Sequence, residues 1–145
     1  IYIALVTIDK LSRFPKLLSS VLTCQNNSIY LLYPPMAYII AFMEFIETPT
    51  FTRLLSALLT DDEYAEMQVA LVENPERGDI IKGGGGIRKL RYGLPGRGKS
   101  GGVRVIYYWI KDDHQIYMLV VYPKSKKDDL TDKETALLRE FVKEL

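Results

Sequence analysis

Three runs of alternating β-branched and aromatic residues lie close together in the second half of this chain. They read IRKLRY, VRVIYYWI and QIYMLVVYPKSKK, and the glycine-rich insert GLPGRGKSGG separates the first two. Such alternation predicts β-strands, and Asp112-Asp113 between the second and third runs has the length of a tight turn. These two strands are therefore predicted to be antiparallel neighbours in one sheet.

The charge of the chain is concentrated in the same region. Residues 80–111 contain eight Lys or Arg and no Asp or Glu, although the net charge of all 145 residues is only +1. A basic block within a nearly neutral chain creates a local positive potential, and this favours a polyanion such as a nucleic acid as the partner.

The insert contains a match to the phosphate loop of nucleotide-binding proteins, because Gly93 to Ser100 reads GLPGRGKS. A working phosphate loop opens a helix, whose first N–H groups hold the phosphates. Here Gly101 and Gly102 follow, and then the strand pattern VRVIYYWI. We therefore interpret the insert as a basic hairpin loop and keep a nucleotide-hydrolysing enzyme as an alternative.

The rarity of two residue types excludes several classes of site. Cys24 is the only cysteine, so it cannot form an internal disulfide and it fits a reducing, cytoplasmic location. His114 is the only histidine, which excludes a nuclease with paired histidines, a two-histidine metal site and a Ser-His-Asp triad. His114 itself is interpreted as a polar turn residue.

Residues 1–42 differ in composition from the rest of the chain. The stretch from Leu17 to Met43 has no charged residue, but QNNS and Pro34-Pro35 interrupt it before it reaches the roughly 20 apolar residues of a membrane helix. We expect residues 1–42 to be an upstream extension outside the fold, with an interaction tail or membrane-associated tail as the alternative.

Residues 43–145 have the pattern of one α+β domain. MEFIE predicts a strand, Thr48-Pro49 a helix start, and the sequences TDDE from Thr60 and TDKE from Thr131 are capping boxes that each open a helix. The predicted order is β-α-α-β-β-β-α, with a mainly antiparallel sheet and helices on one face.

The period of two along a strand divides the residues of the IRKLRY run between the two faces of the sheet. Ile87, Lys89 and Arg91 are expected on one face, and Arg88, Leu90 and Tyr92 on the other.

Three segments, in this order and spacing, resemble the RelE/ParE superfamily of toxins and most closely its HigB-like branch. They are MEFIETPTF, the stretch from ENPERGDIIKGGGGIRKLRY through GKSGGVRVIYYW, and IYMLVVYPKSKKDDLT. The resemblance covers 43–145 and implies a RelE-like fold and a ribosome-dependent endonuclease that cuts mRNA in the ribosomal A site. It also implies a cognate antitoxin, the ribosome, mRNA and ribosomal RNA as partners, with no membrane, no metal and no cofactor.

The resemblance assigns roles to particular residues. It matches Arg104 to the transition-state arginine of the family, Lys89 and Arg91 to a basic pair on the preceding strand, and the basic segment after the last strand to Lys124 and Lys127. Tyr122 and Tyr92 are candidates for base stacking or proton transfer. The full set of candidate RNA-binding residues is Arg88, Tyr92, Arg97, Lys99, Lys126 and Lys127, with Arg97 and Lys99 expected to dock rather than catalyse.

Clustered lysines and arginines suit RNA cleavage without a metal for reasons that are independent of the resemblance. The reaction needs deprotonation of a ribose 2′-hydroxyl, stabilisation of a pentacoordinate phosphorane and protonation of the departing 5′-oxygen. Arginine binds phosphate through two parallel hydrogen bonds, and a lysine crowded by other cations has a lowered pKa.

The sequence departs from the family at the proton donor. Several members carry a Tyr or His near the C-terminus as catalytic acid or base, whereas Phe141 is the only aromatic residue here after Tyr122. Tyr122 or Lys124 is expected to take the role of the acid.

Two other functions are compatible with the same resemblance. A ParE-type toxin inhibits DNA gyrase without nuclease activity, but ParE-like chains tend to lack the basic set on the sheet face. A nuclease-dead domain that only binds its antitoxin is the other alternative.

Overall fold

The computed structural model describes residues 2–5, 21–25, 28–33, 36–40, 43–94, 96, 98 and 101–145. The helices are α1 (Pro49–Leu58), α2 (Asp61–Glu73) and α3 (Asp132–Lys143). The strands are β1 (Tyr2–Leu5), β2 (Val21–Gln25), β3 (Ser28–Tyr33), β4 (Met36–Ile40), β5 (Glu44–Glu47), β6 (Asp79–Ile80), β7 (Arg88–Tyr92), β8 (Val103–Ile110) and β9 (Gln115–Pro123).

The strands form one large sheet and one small sheet. The large sheet has the order β1-β5-β9-β8-β7-β6, while β2, β3 and β4 form a separate three-stranded antiparallel sheet. Every pairing in the large sheet is antiparallel except the pairing of β5 with β9, which is parallel. The predicted hairpin of β8 and β9 is confirmed, and exposed His114 lies in its turn with a φ of 53°.

The predicted caps hold the starts of α1, α2 and α3. The Thr48 hydroxyl accepts the Phe51 N–H (3.1 Å) and donates to the carbonyl oxygen of Leu119 (2.7 Å), so the same side chain caps α1 and ties it to β9. Thr60 and Thr131 each form a reciprocal capping box with the Glu three residues later. These bonds satisfy amides that a helix start otherwise leaves without partners.

The first face of the large sheet carries the main core. It packs against α1 and α2 through buried residues from both helices and from β7, β8 and β9, among them Phe51, Met67, Leu90, Val105 and Val121. Leu90 and Val105 are paired across β7 and β8, and Val105 is paired with Val121 across β8 and β9, so one apolar row spans three strands.

The second face carries a smaller core, which packs against α3. Ile87, Ile106, Leu119 and Tyr122 from the sheet pack there with Val142 of the helix. The α+β class is confirmed, with two corrections to the predicted arrangement. The order from Met43 onward is β-α-α-β-β-β-β-α, because the two-residue strand β6 precedes β7. The helices are not all on one face, because α3 covers part of the face opposite α1 and α2. On the outer side of α3, Leu137, Phe141 and Leu145 remain exposed.

A run of glycines lets α3 approach the turn between β6 and β7. Gly83, Gly85 and Gly86 adopt positive φ angles of 75°, 70° and 98°, which L side chains rarely adopt. A Cβ atom at Gly85 would lie 3.1 Å from Cγ of Arg139 on α3. The run between β6 and β7 therefore provides both the turn and the clearance for the helix.

No described helix is long and apolar enough to cross a membrane. In the segment before Met43, backbone pairing joins β1 to β5 antiparallel, with Ile3 opposite Ile46. The expectation that residues 1–42 lie outside the fold stays a prediction.

We expect a chain that starts at Met43 to fold on its own. The side chains described in both cores all lie from Met43 onward, and β5 keeps its parallel partner β9 when the upstream residues are removed. The melting temperature of the 43–145 chain, measured by circular dichroism, should lie within about 5 °C of that of the full chain, which corresponds to roughly 1 kcal/mol. A non-cooperative melt would show that residues 1–42 are part of the domain.

Candidate nucleic-acid interface

Three of the predicted site residues form one row across the centre of the large sheet. Arg91 on β7 is paired with Arg104 on β8, and Arg104 is paired with Tyr122 on β9. Residues paired in this way project from the same face with Cβ atoms about 5 Å apart. The predicted division of β7 between two faces is confirmed, since Leu90 and Tyr92 pack into the first core while Ile87 belongs to the second.

Lys89 lies beside this row, because it precedes Arg91 by two residues on the same strand. Its side chain and that of Arg104 are 9% and 10% exposed, whereas the side chain of Arg91 is 54% exposed. Lys89 and Arg104 are therefore nearly buried cations on the second face, whereas Arg91 is accessible. We call Lys89, Arg91, Arg104 and Tyr122 the basic row.

Each cation of the basic row has an acidic partner. Asp129 accepts a hydrogen bond from Nζ of Lys89, and Asp128 accepts one from the guanidinium of Arg104 at 3.0 Å. Arg91 is paired with Asp79 on the edge strand β6. The hydrogen bond from Lys89 lowers the pKa of the Asp129 carboxyl below its ordinary value, so this partner is ionised at neutral pH.

Tyr122 stays protonated at neutral pH. Burial raises the pKa of its phenol to about 12, and the negative charge of Asp129 adds to the rise. Its hydroxyl is buried and has no hydrogen-bond partner among the described residues. The ammonium group of Lys127 lies 5.0 Å from the centre of the Tyr122 ring, which is the geometry of a cation–π contact.

Lys127 also links the segment after β9 to the start of α3. Its Nζ lies 2.5 Å from Oε1 of Glu134, while the other carboxylate oxygen of Glu134 accepts the Thr131 N–H at 2.8 Å. These bonds, with that from Lys127 as the larger cause, lower the pKa of Glu134 to about 2.

Two candidate RNA-binding residues lie away from the basic row. Arg88 projects to the opposite face and donates to the carbonyl oxygens of Glu76 (3.2 Å) and Gly78 (3.0 Å), which holds the turn before β6. Tyr92 packs half-buried against the first core. An RNA contact by either side chain stays a prediction.

The remaining basic candidates flank the row or lie outside the described residues. Lys124 and Lys126 are exposed at the end of β9, and the Lys124 N–H donates to the carbonyl oxygen of Gly102 at 3.0 Å. Arg97 and Lys99 lie outside the described residues. The strand predicted after the GLPGRGKS motif is confirmed, since β8 begins at Val103 and no helix follows the motif.

Asp128 and Asp129 were not among the residues predicted from the sequence to belong to the site. Both were interpreted only as part of the ending KSKKDDLT. Two acidic residues directly after the basic sequence KSKK, at the end of a strand, are nevertheless a signal for local ion pairs. No group of three His, Cys, Asp or Glu side chains within the described part of the chain is arranged to hold a metal ion.

Comparison with known families covers the same region as the two cores and the basic row. The protein-family model described as RelE toxin of RelE / RelB toxin-antitoxin system matches residues 46–145. The chain belongs to this RelE toxin family. It is therefore a toxin of a toxin–antitoxin system, and a cognate antitoxin is its partner.

The shifted pKa of Glu134 predicts how the stability of this RelE family member depends on pH. The folded value of about 2 lies below the ordinary value near 4.3, so the stabilisation is complete above about pH 5 and is lost as the pH falls towards 2. Because the pair is partly exposed, the effect should stay within about 1 kcal/mol.

Glu134→Gln keeps a capping acceptor but removes the charge. The variant should therefore lose less stability than the wild type between pH 5 and pH 2.5, as measured by urea unfolding at each pH. Parallel stability curves for the two proteins would mean that the bond between Lys127 and Glu134 does not contribute in solution.

Proposed function

We propose that this toxin is an endoribonuclease that cuts mRNA in the A site of the ribosome without a metal, as a member of the HigB-like branch. The observation that carries the proposal is the basic row, in which Arg91, Arg104 and Tyr122 are paired across three strands beside Lys89.

The pairing of two arginines supports an anion-binding role. Like charges directly opposite each other on neighbouring strands destabilise a sheet, so the pairing of Arg91 with Arg104 depends on anions beside both side chains. A phosphodiester between them reverses this effect, because each guanidinium can donate parallel hydrogen bonds to its oxygens. The two neighbouring arginines are therefore more favourable with a phosphate bound between them than without one.

The same residues match the steps of RNA cleavage by transfer to the 2′-oxygen. The 2′-oxygen attacks phosphorus, its proton passes to a base, and the 5′-oxygen leaves with a proton from an acid. Arg104 and Arg91 would stabilise the charge on the non-bridging oxygens, with Lys89 adding positive charge from the same face. Tyr122, held protonated by its raised pKa, is suited to be the acid.

The other basic residues would contribute to docking and proton transfer. Lys124 stands directly after the strand that carries Tyr122 and is the second candidate for the acid. Lys126 and Lys127, with Arg97 and Lys99 of the insert, would contact phosphates of mRNA or ribosomal RNA. A ParE-type action on gyrase without nuclease activity is not favoured, because it leaves the basic row without a role.

Replacing either arginine of the row should abolish most of the activity. Loss of a phosphate contact that strengthens in the transition state costs about 2 to 4 kcal/mol, on the order of a hundredfold in rate or more. Arg104→Ala and Arg91→Ala should each show this loss when mRNA cleavage in a reconstituted translation reaction is mapped by primer extension.

Arg53→Ala is the matched control, since this exposed arginine lies on α1 at the opposite face of the sheet. The melting temperature and the affinity for the antitoxin should stay unchanged in all three variants. Cleavage at wild-type rates by both Arg104→Ala and Arg91→Ala would remove the basic row from the active site.

Tyr122→Phe tests the proton donor. General acid catalysis contributes about 10²- to 10⁴-fold, so we expect single-turnover cleavage to slow by about a hundredfold or more while the affinity for the programmed ribosome changes little. Tyr117→Phe, on the same strand and in the same smaller core, is the control. Equal rates for the two phenylalanine variants would show that another residue is the acid.

A further inference from the structure

The two buried cations of the basic row are neutralised by carboxylates of exposed residues. Lys89 and Arg104 are buried, whereas the side chains of their partners, Asp129 and Asp128, are 71% and 72% exposed. The carboxylates therefore approach the row from the solvent side, where a substrate would also approach. Two adjacent residues supply both anions, so one short segment covers the row.

The two carboxylates do not satisfy all the hydrogen-bond donors of the basic row. Asp128 accepts from one terminal nitrogen of Arg104, and Nε of the same guanidinium is buried with no partner in the described part of the protein. The Tyr122 hydroxyl, from the residue paired with Arg104, is buried without a partner in the same way. Two donors beside Asp128 are thus left for a ligand with more oxygens than this carboxylate presents.

The segment that covers the row, residues 124–131, is fixed at both ends, and between them Lys127 bonds to Glu134 and Leu130 packs against the smaller core. Residues 124–131 form turns and bends between β9 and α3. The first residue is fixed by the bond from the Lys124 N–H to Gly102, and the last is Thr131, the cap of α3. Between these ends, the contacts with the row are the ion pairs of Asp128 and Asp129 and the contact of Lys127 with the Tyr122 ring.

Charge explains why such a segment is needed. A buried cation without an anion is strongly unfavourable, so Lys89 and Arg104 require anions whenever RNA is absent. A phosphodiester supplies a negative charge and can use both the free Nε of Arg104 and the Tyr122 hydroxyl. It is therefore able to replace carboxylates that use only part of the donors.

We propose that Asp128 and Asp129 form an acidic cap that occupies the phosphate site of the free toxin and must be displaced by RNA. This inference rests on the proposed function, since it takes the basic row to be the RNA site. The cap holds the buried cations in place without substrate and lowers the affinity for RNA that is not presented by the ribosome.

The experiment measures RNA binding by the full chain with and without the cap charges. The probe is a short, fluorescently labelled single-stranded RNA with 2′-O-methyl riboses, which cannot be cleaved by attack of the 2′-oxygen, and the readout is fluorescence anisotropy at one fixed salt concentration. The variant is Asp128→Asn with Asp129→Asn, which keeps the size of both side chains.

The control is Asp112→Asn with Asp113→Asn. It removes two exposed negative charges from the turn at the other end of the hairpin of β8 and β9, so the change in net charge is the same. We expect the cap variant to bind about tenfold more tightly than the wild type and the control less than about twofold more tightly. Equal gains in the two variants, or no gain in the cap variant, would overturn the proposal.

Two further measurements keep the test decisive. If the double variant does not fold, Asp128→Asn alone keeps the pair of Lys89 with Asp129 and should show a smaller gain of the same sign. Amide hydrogen exchange in residues 124–131 of the wild type should become faster when the RNA is added. Slower exchange would mean that RNA binds over a closed cap, against the proposal.

Cleavage of ribosome-bound mRNA is measured separately on the same proteins. Tighter RNA binding by the cap variant with no cleavage by any protein would support the cap and refute the nuclease. Wild-type cleavage with the same RNA affinity in the cap variant and the control would refute the cap and leave the nuclease.

Discussion

Burial of Lys89 and Arg104 in the second face of the sheet is the constraint on which the rest of the site depends. Water cannot solvate these cations adequately, so the fold must bring anions to them. Asp128 and Asp129, in the segment between β9 and α3, supply these anions. The smaller core under α3 then completes the face around the two charges.

Much of the fold was predictable because it follows from local chemistry. The capping threonines, the alternation in β7 to β9 and the hairpin at Asp112-Asp113 each depend on residues within a few positions of one another. The same period of two placed Lys89 and Arg91 on the face opposite Leu90. Where the alternation within a strand is clear from its own residues, the sequence alone indicates which side chains share a face of the sheet.

The relations that the sequence could not predict are those between distant segments. The parallel pairing of β5 with β9 and the position of α3 on the second face depend on packing between residues far apart in the chain. The ion pairs of Asp128 and Asp129 were missed for the same reason, since Lys89 precedes its partner by 40 residues. The separation of Arg88 and Tyr92 from the row follows from the face assignment, but the groups that they contact lie in other segments of the chain.

The parallel pairing of β5 with β9 affects when the protein can become active during its own synthesis. Glu44 and Gln115 are neighbours in the sheet but 71 residues apart in the chain. At 5 to 20 residues per second, about 4 to 14 s of translation separate the two strands. Because Tyr122 and the acidic residues beyond it are made later still, the growing chain cannot assemble its site while most of it is being translated.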